Sequence, residues 1–94
     1  VGENETIKVI EVINKLGLHA RPSAMLVQLT AQFESDLFVQ RVDDSEEVNA
    51  KSIMGVMMLA AGQGTRLQFR AVGADGSALL TEIEKLFQTR FNED

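Results

Sequence analysis

Cysteine is missing from the 94 residues, and tryptophan and tyrosine with it. The first absence excludes a disulfide framework and any thiolate metal centre. With a single histidine in the chain, only an all-oxygen, carboxylate-rich metal site stays open. The acidic stretches at residues 43–47 and 92–94 lack the ligand spacing of a calcium loop and read as solvated surface, so no metal and no cofactor are expected. The five aromatic residues are all phenylalanine, and no basic run interleaves with them as a base-stacking surface needs. Nine Lys and Arg against fourteen Asp and Glu leave a net charge of −5, which argues against a nucleic-acid partner. No apolar run approaches the length of a membrane span. The stretch Val1-Gly2-Glu3-Asn4-Glu5 is acidic where a signal peptide would be basic, so the expectation is a cytoplasmic protein with no direct membrane insertion.

What is present is a pattern of alternating and helical segments. Residues 6–13, rich in Ile and Val, read as a strand, and residues 14–18 as a loop. A helix is predicted from Ala20 to about Phe33, with Leu26, Val27, Thr30 and Phe33 on one plausible face. Residues 37–42 form a second strand, residues 43–47 a charged turn, and a short strand near Val48 leads to a helix opened by Ser52. Leu67, Phe69 and Ala71 alternate with Arg66, Gln68 and Arg70, the clearest half-buried strand of the chain. After a turn at residues 73–76, with Asp75 available as a cap, Leu79 or Leu80, Ile83, Leu86 or Phe87, and Phe91 recur at helical spacing. Gly62-Gln63-Gly64 reads as a turn, because the lysine and hydroxyl of a phosphate-binding loop are missing and a strand follows. The order β-α-β-β-α-β-α fits one α+β domain over residues 1–94, with helices on one face of a sheet.

The sole histidine, His19, stands in Gly17-Leu18-His19-Ala20-Arg21-Pro22, where strand and loop give way to helix. A ring at a helix N-terminus lies near unpaired N–H groups and the positive end of the dipole, which disfavours imidazolium and would hold an attached anion. Arg21 can bring a planar fork of donors to the same place, the geometry that suits phosphate oxygens. Pro22 costs little in a first helical turn. The alternative for His19 is a cap or a packed ring. Ser52, just before an apolar run, is a preferred N-cap, and capping is its plain structural role. The six large apolar residues Ile53, Met54, Val56, Met57, Met58 and Leu59 cannot all face inward from one helix, so some must be exposed, and exposed methionine suits an adaptable docking surface.

The string around His19 resembles the phosphorylation site of the HPr family, the histidine-containing phosphocarriers of the bacterial phosphoenolpyruvate-dependent phosphotransferase system. Asn49-Ala50-Lys51-Ser52-Ile53-Met54-Gly55-Val56-Met57 resembles the second signature of that family, its regulatory serine and the helix that follows. The resemblance in element pattern runs from about Thr6 to Phe91. It implies an open-faced β-sandwich, a four-stranded antiparallel sheet covered on one face by three helices, in which the Ser52 helix lies near the His19 helix and both helix N-termini are accessible. It implies a stoichiometric carrier rather than a turnover enzyme: His19 Nδ1 accepts a phosphoryl group from phospho-enzyme I and passes it to enzyme II A-type proteins. By resemblance Arg21 and the backbone N–H groups of Ala20 and Arg21 hold the phosphoryl oxygens. Leu18, Lys51, Ile53, Met54 and Met57 meet the partners, and Val56 faces the core. Ser52 is then a regulatory site for an HPr kinase/phosphorylase, since phosphate there sets about −2 charge beside the docking patch. The segment 14–19 and the ending 87–94 also resemble the nitrogen-related branch, whereas the Ser52 segment looks more like the sugar-transport branch. Ser23 stands where many members carry alanine. A rival reading is a regulatory binding module that acts through the Ser52 helix and carries no phosphate. A monomer is expected, because transient partners need the apolar patch free.

Overall fold

A computed structural model describes residues 4–93, so Val1, Gly2 and Glu3 of the acidic start, and Asp94, lie outside the described residues. The elements are β1 (Glu5–Glu11), α1 (Ala20–Thr30), β2 (Asp36–Arg41), β3 (Val48–Asn49), α2 (Ile53–Met58), β4 (Arg66–Val72) and α3 (Gly76–Gln88), the order read from the sequence. All strand pairings are antiparallel, in the spatial order β1-β4-β2-β3. β4, the strand with the cleanest alternation, takes a central place: Phe69 pairs with Lys8 on one side and Val39 on the other. Its inward residues Leu67, Phe69 and Ala71 are fully buried with Leu37 and Val39 of β2 and Leu79, Ile83 and Phe87 of α3. Alternation on a sheet covered on one side produces this division between a buried and a wet face. On the uncovered face, Arg70 forks onto Glu47 (Nη2 to Oε1 2.8 Å, Nε to Oε2 2.9 Å), reaches Glu5 at 2.7 Å and lies 4.6 Å over the Phe38 ring. The hydrogen bond from Arg70 holds the Glu47 carboxyl below its usual range, and burial opposes the shift. No helix among the described residues is long and apolar enough to cross a membrane.

Three local readings are corrected. α1 ends at Thr30 instead of near Phe33, where the Thr30 hydroxyl bonds back to Leu26 O at 2.8 Å and the chain turns through residues 31–35. Its buried stripe is Pro22, Ser23, Leu26 and Thr30, with Val27 and Phe33 only partly covered. Asp75 precedes α3 but makes no side-chain cap. Its carboxylate accepts instead from Ser35 Oγ and from the N–H groups of Glu34 and Ser35, both at 2.9 Å, and so pins the entry of β2. α3 stops at Gln88, and Phe91 reaches the core through a left-handed turn, with φ of 56°, 56° and 58° at Arg90, Phe91 and Asn92. Each such residue costs about 1–2 kcal/mol, which the burial of Phe91 against Phe87, ring centroids 4.8 Å apart, offsets.

The Ser35 hydroxyl and then the Glu34 N–H hold the Asp75 carboxyl below the ordinary carboxylate range. A group depressed in the folded state contributes stability above its unfolded pKa and loses it as pH falls through the lower folded value. Urea midpoints measured against pH should therefore fall through that acid window, and Asp75→Asn should flatten part of the fall.

Candidate functional site

The loop before α1 is shaped by backbone ties. Gly17 turns with φ +69°, and a Cβ there would stand 2.5 Å from Ala61 O and 2.8 Å from Gly62 Cα. The next residue, Leu18, donates its N–H to Ala61 O at 2.9 Å. Gly17→Ala should thus cost about 1–3 kcal/mol and displace the His19 ring, which urea unfolding and the histidine ring resonances would report. Ser23 adds a second tie: its buried hydroxyl donates to Leu18 O at 3.0 Å. Ser23 thereby anchors the residue before His19.

His19 takes the N-cap position of α1 in an extended conformation (φ −74°, ψ −170°), and its carbonyl accepts the Ser23 N–H at 3.0 Å. Its ring makes no cap bond. The ring is instead half-buried against a residue the sequence reading assigned to solvated surface. Glu93 places Oε1 3.0 Å and Oε2 3.2 Å from His19 Nε2. The same carboxylate accepts from Asn14 Nδ2 at 2.9 Å and from Arg21 Nη1 at 3.2 Å, and the second Arg21 bond from Nη1 goes to Phe91 O at 3.0 Å. Asn14 is fully buried and donates to Gly17 O at 2.7 Å as well. The bond from His19 and then that from Asn14 hold the Glu93 carboxyl below its usual range against the opposing effect of burial, with the charges of His19 and Arg21 adding to the lowering.

An ionised carboxylate only accepts, so Nε2 must carry the ring hydrogen. In the neutral ring the lone pair is then on Nδ1. The arrangement is a ring nitrogen with a free pair at a helix start, next to an arginine fork. Periodicity offers no hint of Glu93, because the contact spans 74 residues and depends on the left-handed turn after α3.

α2 supplies a second surface beside this one. Ser52 caps it, its Oγ accepting from Gly55 N at 3.2 Å, and Ser52 is exposed. α1 and α2 pack together and run in opposite senses: Lys51 Nζ reaches Phe33 O beyond the end of α1, whereas Ala61, past the end of α2, meets Leu18 next to His19. Ile53, Met54 and Met57 are exposed, at 39%, 68% and 43%, and Val56 is in the core, as read from the sequence. Met58 and Leu16, outside the predicted docking set, are more exposed still. Leu18 is corrected in the other direction. It belongs to the core, because the turn at Gly17 sends Leu16 outward and Leu18 inward, so it adds no docking surface.

A family model described as the PTS HPr component phosphorylation site matches residues 7–89. Phosphocarrier protein HPr of Treponema pallidum is 47% identical over 88 residues, covering 94% of this chain and 98% of that protein. The crystal structure of HPr-C-His from Thermoanaerobacter tengcongensis superposes with a TM-score of 0.88 at 39% identity, covering 95% of this chain and 98% of that one. A crystal structure of an HPr dimer from the same organism matches at a TM-score of 0.73 and 42% identity, covering 89% and 94%. With the family model, the relatives and the fold in agreement, the chain belongs to the HPr family of phosphocarrier proteins of the phosphotransferase system.

Proposed function

We propose that the whole chain acts as one cytoplasmic HPr domain that accepts a phosphoryl group from phospho-enzyme I on His19 Nδ1 and delivers it to enzyme II A-type acceptors. The observation that carries this reading is the bond of His19 Nε2 to Glu93, which leaves Nδ1 as the nucleophile at the start of α1. The N–H groups of Ala20 and Arg21 precede the first helical bond, from Ser23 N, and are the donors proposed for the phosphoryl oxygens. Arg21, with its side chain 53% exposed, can add its fork to them. A transfer of this kind needs positioning and charge stabilisation more than covalent help from the protein. The site is open to solvent on the Arg21 side, which suits a carrier that must release its cargo.

Incubation with phosphoenolpyruvate, magnesium and enzyme I should add one acid-labile phosphoryl group, seen by intact mass and placed on Nδ1 by phosphorus NMR. A wild type left unmodified by a competent enzyme I would remove the carrier reading and leave the rival, a regulatory module working through α2.

Ile53, Met54 and Met57, with the exposed Met58 of the same helix, are proposed as the surface that meets enzyme I and the acceptors, and Lys51 as its polar edge. Ser52 is proposed as the regulatory phosphorylation site for an HPr kinase/phosphorylase. Aspartate caps a helix as well as serine does, so Ser52→Asp should leave stability within about 0.5 kcal/mol. It should nevertheless weaken binding to enzyme I by about tenfold, because it adds charge at the rim of an apolar contact. Calorimetry on the two partners would measure this. Since that contact must be free in turn for each partner, the acting form is proposed to be the monomer, and the dimeric state belongs to the Thermoanaerobacter protein.

A further inference from the structure

Glu93 meets His19 at the nitrogen opposite to the one that transfers, and this gives it a part in both halves of the reaction. We propose that Glu93 is a positioning residue that keeps a proton on His19 Nε2 before and after transfer, so that Nδ1 is the nucleophile on acceptance and neutral imidazole is the leaving group on donation. The inference rests on the phosphocarrier reading above and concerns how the same site keeps its cargo transferable.

On acceptance, the lone pair of Nδ1 forms a bond to phosphorus while the N–P bond of phospho-enzyme I, which the family resemblance implies is a phosphohistidine, breaks and its electron pair returns to the donor nitrogen. The ring retains its Nε2 hydrogen and becomes a phosphoimidazolium, with positive charge spread over both nitrogens. Glu93 faces that charge from Nε2, 3.0 Å away. On donation, the Nδ1–P bond breaks, its pair stays on Nδ1, the phosphoryl group goes to the acceptor's nucleophile, and imidazole leaves neutral. Were Nε2 to lose its hydrogen, the leaving group would be imidazolate, a much stronger base and a poorer leaving group. A carboxylate on Nε2 opposes that loss, as an opposite charge within hydrogen-bond distance favours the protonated ring.

The carboxylate is built into place for this. Its side chain is only 18% exposed and is held by three donors, His19, Asn14 and Arg21, from two other segments. Behind it Phe91 is locked in the core, so the left-handed turn returns the chain to the ring. Among the described residues, the charged side chains bonded at this site are Glu93 from the segment after α3 and Arg21 from α1, with Lys15 exposed on the loop that also supplies the neutral Asn14. From the α2 side, residues 57–62 carry no ionisable side chain.

The test compares wild type with Glu93→Gln and Glu93→Ala. Ring nitrogen shifts of the unphosphorylated proteins read the tautomer directly. The ratio of Nδ1–H to Nε2–H forms should rise about three- to tenfold in Glu93→Ala and stay near wild type in Glu93→Gln, whose amide oxygen still accepts. Each protein is then phosphorylated by enzyme I and separated from it, and loss of the phosphoryl group is followed against pH. The three rates should converge in acid, where every ring is protonated. At mildly alkaline pH both variants should hold the group about three- to tenfold longer than wild type, since neither retains the charge that keeps Nε2 protonated. An unchanged tautomer ratio in Glu93→Ala, or variant rates equal to wild type across the profile, would overturn the role of Glu93 and leave the carrier reading intact. Rates that differ equally at all pH values would also overturn it, since Arg21 released onto the phosphate would act without regard to Nε2. If enzyme I phosphorylates none of the three, the carrier reading itself falls and takes this proposal with it.

Discussion

Replacement of His19 by alanine is expected to abolish phosphoryl acceptance, a loss on the order of a thousandfold or more in transfer from phospho-enzyme I. The side chain supplies the only imidazole in the chain, and no cysteine offers a substitute nucleophile. The fold should survive the change. His19 caps α1 through its backbone, with no side-chain cap bond, and its ring is half-buried at the surface instead of packed in the core. The variant loses one pairing with Glu93, which retains the donors Asn14 and Arg21. Circular dichroism close to wild type, together with no added mass after incubation with enzyme I, is the expected pair of results. Residual modification of the alanine variant would mean that another residue carries the group.

The largest expected effect on stability is that of Phe87→Ala, about 3–5 kcal/mol. Phe87 is buried and contacts two aromatic rings edge-on, Phe69 of the central strand β4 at 5.7 Å and Phe91 of the terminal turn at 4.8 Å. Its truncation removes the ring that joins sheet, helix and turn, and the cavity cannot close without moving one of them. A domain of this size has only about 5–15 kcal/mol in total, so the urea midpoint should fall steeply. Leu86→Ala, one position along the helix and only partly buried, should cost much less, which makes it the control. The effect should also reach the site. With Phe91 no longer held, the turn that presents Glu93 loses its anchor, and the His19 ring resonances should shift in Phe87→Ala although the two rings belong to different segments.

This coupling marks the boundary between what local sequence could tell and what it could not. Strand β4 was legible because Leu67, Phe69 and Ala71 alternate with polar residues, and the structure buries those three. α3 was legible because Leu79 or Leu80, Ile83, and Leu86 or Phe87 recur at helical spacing; Leu79, Leu80, Ile83 and Phe87 are buried, and Leu86 is only partly so. Phe91 was read correctly as apolar and inward but wrongly as helical, since spacing records which residues are buried and says nothing about whether the chain arrives by a helix or by a left-handed turn. Leu18 and Leu16 show the same limit. A one-residue turn at Gly17 exchanges their sides, and no periodicity crosses it.

The sequence by itself determined the element order, the position of His19 at a helix start with Arg21 two residues on, the capping serine before an apolar helix, and the likeness to phosphocarriers. These are matters of neighbouring residues, and near-neighbour physics is what spacing and composition encode. Tertiary structure alone decided that Glu93 and Asn14 join His19 and Arg21, that Asp75 pins β2 instead of capping α3, and that Ser23 ties the residue before the histidine. The partners of Glu93 lie more than 70 residues away, and charged side chains at a chain's acidic end look like solvated surface until the core has chosen where that end must lie. The tautomer of the reactive ring follows from that choice, because a hydrogen-bond partner, not the sequence around the ring, decides which nitrogen carries the hydrogen.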